Sequence, residues 1–230
     1  NYGFRYTIRK LGIPVKGKKV LILGNGGAAP AVRAALEDEQ AGEIVIISRR
    51  GENHYENLSK HYDAQIIANT TPLGMYPNIG EAAIDLEKFT CCEAVYDLIY
   101  NPLKTKLLLT ADRLGIPNID GLSMLVAQAK KSCEIFLNEK IPDERIEEIQ
   151  KKLRREVENI CIIGMPGCGK STVGKKLAES LGKEFVDIDR EIVKTAGKEI
   201  PEIFRESGEE GFRKIETSVL SQVTKEKGQV

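Results

Sequence analysis

The chain has 230 residues, enough for one large or two ordinary domains, with 34 Lys and Arg against 34 Asp and Glu. That balance offers no electrostatic case for nucleic acid or an anionic membrane surface, no apolar run approaches the ~20 residues of a membrane span, and no signal-peptide pattern opens the sequence. Five cysteines, an odd number without C-x-x-C or Cys/His metal spacing, fit a reducing compartment, so a cytoplasmic protein is expected.

Residues 1–16 read as a short amphipathic entry helix ending near Leu11-Gly12-Ile13-Pro14. A continuous apolar strand, Val20 to Leu23, runs into Gly24-Asn25-Gly26-Gly27-Ala28-Ala29-Pro30. A helix with Val32, Ala35 and Leu36 inward comes next, then a second strand, Ile44 to Ile47. This is a βαβ unit of dinucleotide-binding length. The turn reads G-x-G-G-A-A, not strict G-x-G-x-x-G, so its position between strand and helix carries more weight than its letters. There, backbone donors and the helix dipole favour a pyrophosphate. The second strand ends in Ser48-Arg49-Arg50, without the acidic residue that would accept a ribose 2′-hydroxyl, so NADP is expected over NAD. The plainer reading is two solvated arginines.

Further strands are expected at Gln65–Ala68, Ala94–Leu98 and Asn118–Ile119, with helices at Leu103–Leu114 and Ser123–Leu137. Alternating strands and helices predict an α/β fold, a doubly wound parallel sheet of Rossmann type. Two strand ends carry polar clusters, Asn69-Thr70-Thr71-Pro72-Leu73-Gly74-Met75 and Asp97-Leu98-Ile99-Tyr100-Asn101-Pro102. Both lie where ligands of open α/β sheets bind, although each taken alone reads as an ordinary turn. The charged stretch Ile141–Glu156, with Ile146, Ile149 and Leu153 at helical spacing, predicts a helix packed on the first domain that continues as a linker. We place the boundary near Val157, giving domains 1–156 and 157–230.

The second segment opens on an apolar run, Ile160 to Ile163, expected to be a buried strand. Gly164-Met165-Pro166-Gly167-Cys168-Gly169-Lys170-Ser171-Thr172 follows, the G-x-x-x-x-G-K-[ST] phosphate loop ahead of a helix with Val173, Leu177 and Leu181 at i, i+4, i+8. Gly167, Cys168 and Gly169 turn backbone amides toward phosphate oxygens, Lys170 adds a point charge, and the Ser171 hydroxyl can ligate Mg²⁺. Cys168 near a helix N-terminus can acquire a lowered pKa, but a small residue that merely fits is the plainer reading. Phe185–Asp189 is expected as a strand presenting Asp187 and Asp189 on one side, able to serve Mg²⁺ and a substrate hydroxyl; as turn formers they also have a bland reading. Pro201 begins a short helix. A longer one starts near Gly208, with Phe212, Ile215, Val219 and Val223 inward. On it Glu209, Arg213 and Glu216 form either a solvated ion-pair stripe or a mount that holds Arg213 toward an anionic substrate.

Taken together, residues 1 to about 156 resemble the cofactor-binding domain of shikimate dehydrogenase, through Gly24 to Ala29, Ser48-Arg49-Arg50, Asn69 to Met75, Asp97 to Pro102, and Gly121-Leu122-Ser123-Met124-Leu125 with Gln128. The resemblance implies that Gly24, Asn25, Gly26, Gly27 and Ala28 hold the pyrophosphate and that Arg49 and Arg50 beside Ser48 take the 2′-phosphate. It further implies that Leu98 and Gly121 line the nicotinamide while Tyr100 and Gln128 face the cyclohexene acid. Residues 158–230 resemble the first half of shikimate kinase, through Gly164 to Thr172, Asp187-x-Asp189 and Gly208-Glu209-x-x-Phe212-Arg213-x-x-Glu216. Here the resemblance assigns Ser171 and Asp187 to the magnesium shell, Asp189 to the shikimate hydroxyl as a candidate base, and Arg213 to the carboxylate.

The departures are omissions. The dehydrogenase family's catalytic Lys and Asp lie in a domain with no counterpart here, and the kinase family's triple-glycine turn and arginine-bearing lid are also missing. Beginning at Asn1 and closing at Gly228-Gln229-Val230, the sequence is expected to be a fragment of a fused, bifunctional enzyme. One activity would reduce 3-dehydroshikimate with NADPH; the other would pass the γ-phosphoryl of ATP to shikimate with Mg²⁺. The alternatives are a quinate/shikimate dehydrogenase fused to the same kinase, or a nucleotide-binding module without turnover.

Overall fold

The computed structural model describes all residues, Asn1–Val230, and the chain divides into two compact units, Asn1–Gln150 and Lys151–Val230. The first is an α/β fold of Rossmann type around a five-stranded parallel sheet. Its strands are β1 (Lys19–Leu23), β2 (Glu43–Ile47), β3 (Ile66–Asn69), β4 (Ala94–Asp97) and β5 (Asn118–Ile119), in the order β2-β1-β3-β4-β5. The direction of winding reverses between β1 and β3, so the crevice for a ligand opens at the carboxyl ends of those two strands.

Alternation along each strand divides the core into two layers. Val20, Ile22, Ile66, Ala68, Ala94 and Tyr96 face a layer containing Phe4, Ile8, Val32 and Leu36, from α1 (Tyr2–Leu11) and α2 (Ala29–Asp38). Leu21, Leu23, Val45, Ile47, Ile67 and Val95 face the opposite layer, which holds Leu86, Phe89 and the α3 (Lys106–Arg113) residues Leu107, Leu108 and Ala111. Each such side chain removed from water contributes about 1.5–3 kcal/mol, which makes the unbroken apolar runs the main stabilising feature of this unit. α4 (Leu122–Leu137) packs along α1 so closely that a Cβ on Gly3 would lie 2.7 Å from the Met124 carbonyl oxygen.

Strands and helices fall within a few residues of expectation, and the differences have local causes. The entry helix stops at Leu11 because Gly12 takes the left-handed conformation that caps it (φ 74°). α3 begins at Lys106, not Leu103, because the Thr105 hydroxyl accepts the Leu108 amide as an N-cap. In α5 (Glu144–Val157), Ile146 and Gln150 are buried in the first unit, whereas Ile149 is exposed.

The second unit departs further from expectation. Its helices α6 (Lys170–Leu181), α7 (Ile188–Ala196) and α8 (Ile200–Val223, broken at Gly208) surround a small core of Ile192, Ile203, Phe212 and Val219. Neither expected strand forms. Ile160–Ile163 and Phe185–Val186 are each joined to residues 228–230: Ile160 N–H donates to Gln229 O at 2.9 Å, Val186 N–H to Val230 O at 2.9 Å, and Glu184 bridges Gln229 in parallel. A ladder needs a neighbour along its length, and these contacts cover one end of each segment; Ile163 is 88% exposed. On α6 the inward positions are Gly174 and Ala178 with half-buried Leu177, while Val173 and Leu181 face outward. The aromatic ring of Phe185 lies against Gly174, where a Cβ would approach it to 2.5 Å, so the smallest residues mark the packed face.

Candidate functional site

In the first unit the site grows from the end of β1. Gly24 has φ 94°, donates its N–H to Ile47 O at 2.7 Å, and would press a Cβ to 2.9 Å from Thr71 Cγ2, so the position requires glycine on both conformational and steric grounds. Gly26 and Gly27 have open space where side chains would be. Ala28 caps α2 without a side-chain bond, Ala29 N–H donates back to Gly26 O at 3.1 Å, and Pro30, in the first turn, has no N–H to donate. At the end of β2, Ser48 Oγ donates to Arg50 O, and Arg49 and Arg50 are exposed with no acidic partner in an ion pair. Asn25, Ser48 and Arg50 border a cleft of about 440 Å³ together with Arg33, Glu52 and Asn53. Asn25 of the glycine turn on one side and the unpaired Arg50 guanidinium on the other suit two separate phosphates on one ligand, while Arg49 lies outside the lining of this cleft.

The residues expected to line the nicotinamide lie at the ends of β4 and β5. Gly121 N–H donates to Ile99 O at 2.9 Å, and a Cβ on Gly121 would fall 2.0 Å from Leu98 O. Leu98 and Gly121 are therefore in backbone contact. Tyr100 and Gln128 are both exposed, and no hydrogen bond joins them. Behind this surface lies a buried polar network that did not stand out in the sequence. Asp97 accepts bonds from Asn69 Nδ2 (2.9 Å), Ile99 N–H (3.1 Å) and Thr105 Oγ1 (2.6 Å). Burial pushes the Asp97 carboxyl up from the ordinary carboxylate range, and these three donors oppose the shift by favouring its charged form. Asn69, Asp97 and Thr105 are turn or cap types; the first two had only their position at the ends of two adjacent strands as a signal, and Thr105, the N-cap of α3, had none.

In the second unit Gly167 (φ 76°) and Gly169 (φ 87°) take the left-handed conformation that folds the loop back on itself. Lys170 Nζ donates to the loop's own carbonyls, Gly164 O and Met165 O, both at 2.9 Å. Cys168 turns across the loop, since a Cβ on Gly164 would lie 2.8 Å from its sulfur. The lysine's ammonium is thus satisfied by the loop's own carbonyls. Ser171 Oγ meets Asp187 Oδ2 at 3.1 Å, so the two residues expected to share a magnesium shell are adjacent. A cavity of about 200 Å³ is lined by Lys170, Ser171, Asp187 and Asp189 along with apolar residues of 160–162 and 185–186. Thr172 lies in the first turn of α6.

One expectation about this site needs correction. Asp187 and Asp189 do not share a strand face: Asp187 is the extended N-cap residue of α7 and Asp189 lies in that helix's first turn. A negative charge at either place meets the positive end of the helix, although the Asp187 carboxylate bonds Ser171 and makes no side-chain bond to the helix amides. Arg213 does not line the cavity; it is 58% exposed and pairs with Glu216 at 2.8 Å and Glu209 at 3.6 Å. Those carboxylates raise its pKa further, fixing a charge that is permanent in any case.

Comparison with known proteins adds two findings. The family model described as "SKI: Shikimate kinase" matches residues 166–230. Among curated proteins, "Shikimate dehydrogenase (NADP(+))" of Clostridium perfringens is 34% identical over 166 residues, covering 66% of this chain and 61% of that protein. The same description from Caldicellulosiruptor bescii is 37% identical over 154 residues, covering 59% and 54%. Among solved structures, a chorismate mutase/shikimate 5-dehydrogenase fusion protein from Clostridium acetobutylicum superposes with a TM-score of 0.62 at 34% identity, covering 66% of this chain and 59% of that one. Shikimate 5-dehydrogenase from Thermus thermophilus, solved with NADP(H) and shikimate, gives 0.57 at 27% identity, covering 65% and 60%. The chain spans about 61% of the first of these relatives, so the likeness embraces the sheet-bearing fold and part of each homologous enzyme.

Proposed function

We propose that the first unit is the NADP-binding domain of a shikimate dehydrogenase and the second the leading part of a shikimate kinase, joined in one bifunctional enzyme acting in the cytoplasm. Taking residue 157 as the start of the kinase-like part follows the sequence reading. The observation that carries the dehydrogenase half is the pairing of an open glycine turn after β1 with two unpaired arginines after β2, on a chain 34% identical to NADP-dependent relatives. Support for the kinase half is the phosphate loop with Ser171 against Asp187, within the stretch matched by the kinase model.

In the first reaction NADPH supplies the hydride that reduces 3-dehydroshikimate. This chain's contribution is binding and orientation. The turn from Gly24 to Ala28 holds the pyrophosphate, with the Gly24 N–H itself kept by Ile47 O, Arg49 and Arg50 take the 2′-phosphate, Leu98 and Gly121 wall the nicotinamide, and Tyr100 and Gln128 contact the acid. In the second reaction ATP supplies the phosphoryl group and Mg²⁺ neutralises its charge, with Lys170 and Ser171 at the phosphates. Asp187 joins the magnesium shell, Asp189 takes the proton of the shikimate hydroxyl and Arg213 grips its carboxylate. For that role Arg213 must exchange at least one of its glutamates for the substrate, which an exposed ion pair permits at little energetic cost.

The 230 residues offer no lysine–aspartate pair matching the dehydrogenase family's proton-transfer groups, so the chain by itself should bind NADPH without oxidising it. NADPH fluorescence titration should saturate, and addition of 3-dehydroshikimate should leave the absorbance of the reduced nicotinamide constant. Steady loss of that absorbance would show that the chain carries a complete active site and would overturn this assignment of roles.

A further inference from the structure

Among the groups given no role above, Asp97 makes the most consequential set of contacts. It is 2% exposed, lies at the carboxyl end of β4, and has three donors but no cation bonded to it. Each donor belongs to a different segment: Asn69 to the end of β3, Ile99 to the loop that carries Leu98 and Tyr100, and Thr105 to the N-cap of α3. The connection continues across the sheet. Asn69 Oδ1 accepts Thr71 N–H at 3.0 Å and Thr71 Oγ1 at 2.7 Å, the Thr71 methyl occupies the space beside Gly24, and Thr70 Oγ1 donates to Leu23 O at 2.7 Å. One chain of side-chain bonds thus ties the carboxyl ends of β1, β3 and β4 across the point where the winding reverses.

We propose that Asp97 is a positioning residue for the nicotinamide half of the dinucleotide: through Asn69 and Ile99 it holds the Leu98–Tyr100 loop in register with the glycine turn after β1. The proposal rests on the NADP-binding reading above. It separates the two halves of the ligand, because the 2′-phosphate and adenosine side lies at β2, on the far side of β1 from this network. Without the carboxylate, the Asn69 amide, the Ile99 N–H and the Thr105 hydroxyl lose a shared acceptor in a buried place. They can recover partners only by moving the loop ends that bear them.

The test uses two probes on the full chain, NADPH and adenosine 2′,5′-bisphosphate, which lacks the nicotinamide half, with far-UV circular dichroism as a check on folding. Asp97→Ala should weaken NADPH about twentyfold, as expected for a buried acceptor of several bonds, and change adenosine 2′,5′-bisphosphate less than about twofold. Asp97→Asn, which keeps an acceptor oxygen for Asn69 and Ile99, should recover NADPH binding to within about threefold of the native chain. If Asp97→Ala fails to fold, Thr71→Val cuts the same connection outside the core and should show the same selectivity with about a fivefold loss. Equal weakening of both probes, or of neither, overturns the proposal. Failure of the native chain to bind either probe instead overturns the NADP-binding reading itself.

Discussion

Replacing both Arg49 and Arg50 by alanine is expected to weaken NADPH binding about a hundredfold while leaving NADH affinity within about threefold of its native value. The two ligands differ only in the 2′-phosphate, so the comparison isolates whatever recognises that group. Both arginines are exposed at the end of β2 and neither is engaged by a carboxylate, so their charge is available to a ligand. A hydrogen bond between ionised partners contributes about 1.5–3 kcal/mol, and a hundredfold loss corresponds to about 2.7 kcal/mol, within reach of the pair together. Arg49 also lies close enough to Tyr55 to act against the rise that burial imposes on the tyrosine's pKa. Parallel fluorescence titrations with NADPH and NADH check this; equal loss for both would place the arginines outside the 2′-phosphate site.

The second large effect is expected at Lys170. Lys170→Ala should reduce ATP binding by at least about a hundredfold, through loss of a cation at the outer phosphates, and should leave NADPH affinity unchanged. The side chain now donates to Gly164 O and Met165 O, so its removal also frees two loop carbonyls. Both are exposed and can turn to water, so the folded unit should survive the substitution. Calorimetry with each ligand measures the result. A matching fall in NADPH affinity would mean that the two nucleotide sites are coupled, contrary to their assignment to separate units.

How much of this was legible in the sequence differs between the units for a physical reason. In the first, runs such as Val20–Leu23 and Ile44–Ile47 meet helices on the faces of a sheet whose strands pair in continuous register. Local pattern and tertiary environment therefore agree. Gly24 could be read because its position demands what glycine alone supplies. The Asn69–Asp97–Thr105 network could not be read as one feature. Its members are 28 and 8 residues apart and become neighbours only through the register in which Asn69 lies opposite Asp97.

In the second unit the same kind of apolar run misled. Ile160–Ile163 has the composition of a strand, but its pairing reaches no further than Gln229, so composition did not become a ladder. Phe185–Asp189 failed differently, because α7 begins at Ile188: Asp189 falls in its first turn, and Asp187 is the extended residue before it, with its carboxylate on Ser171 and no side-chain bond to the helix amides. Glu209, Arg213 and Glu216 were correctly read as mutually reachable by helical spacing, and they pair as that spacing allows.

Two independent nucleotide sites, one after β1 and one before α6, underlie the proposed function. The most direct measurement is calorimetric titration of a single sample with NADPH and with ATP plus Mg²⁺, in both orders. Two saturable events of about one ligand each are predicted, with the affinity of either unchanged when the other is already bound. Absence of both events from a folded sample, or mutual displacement of the two ligands from one shared site, would contradict it.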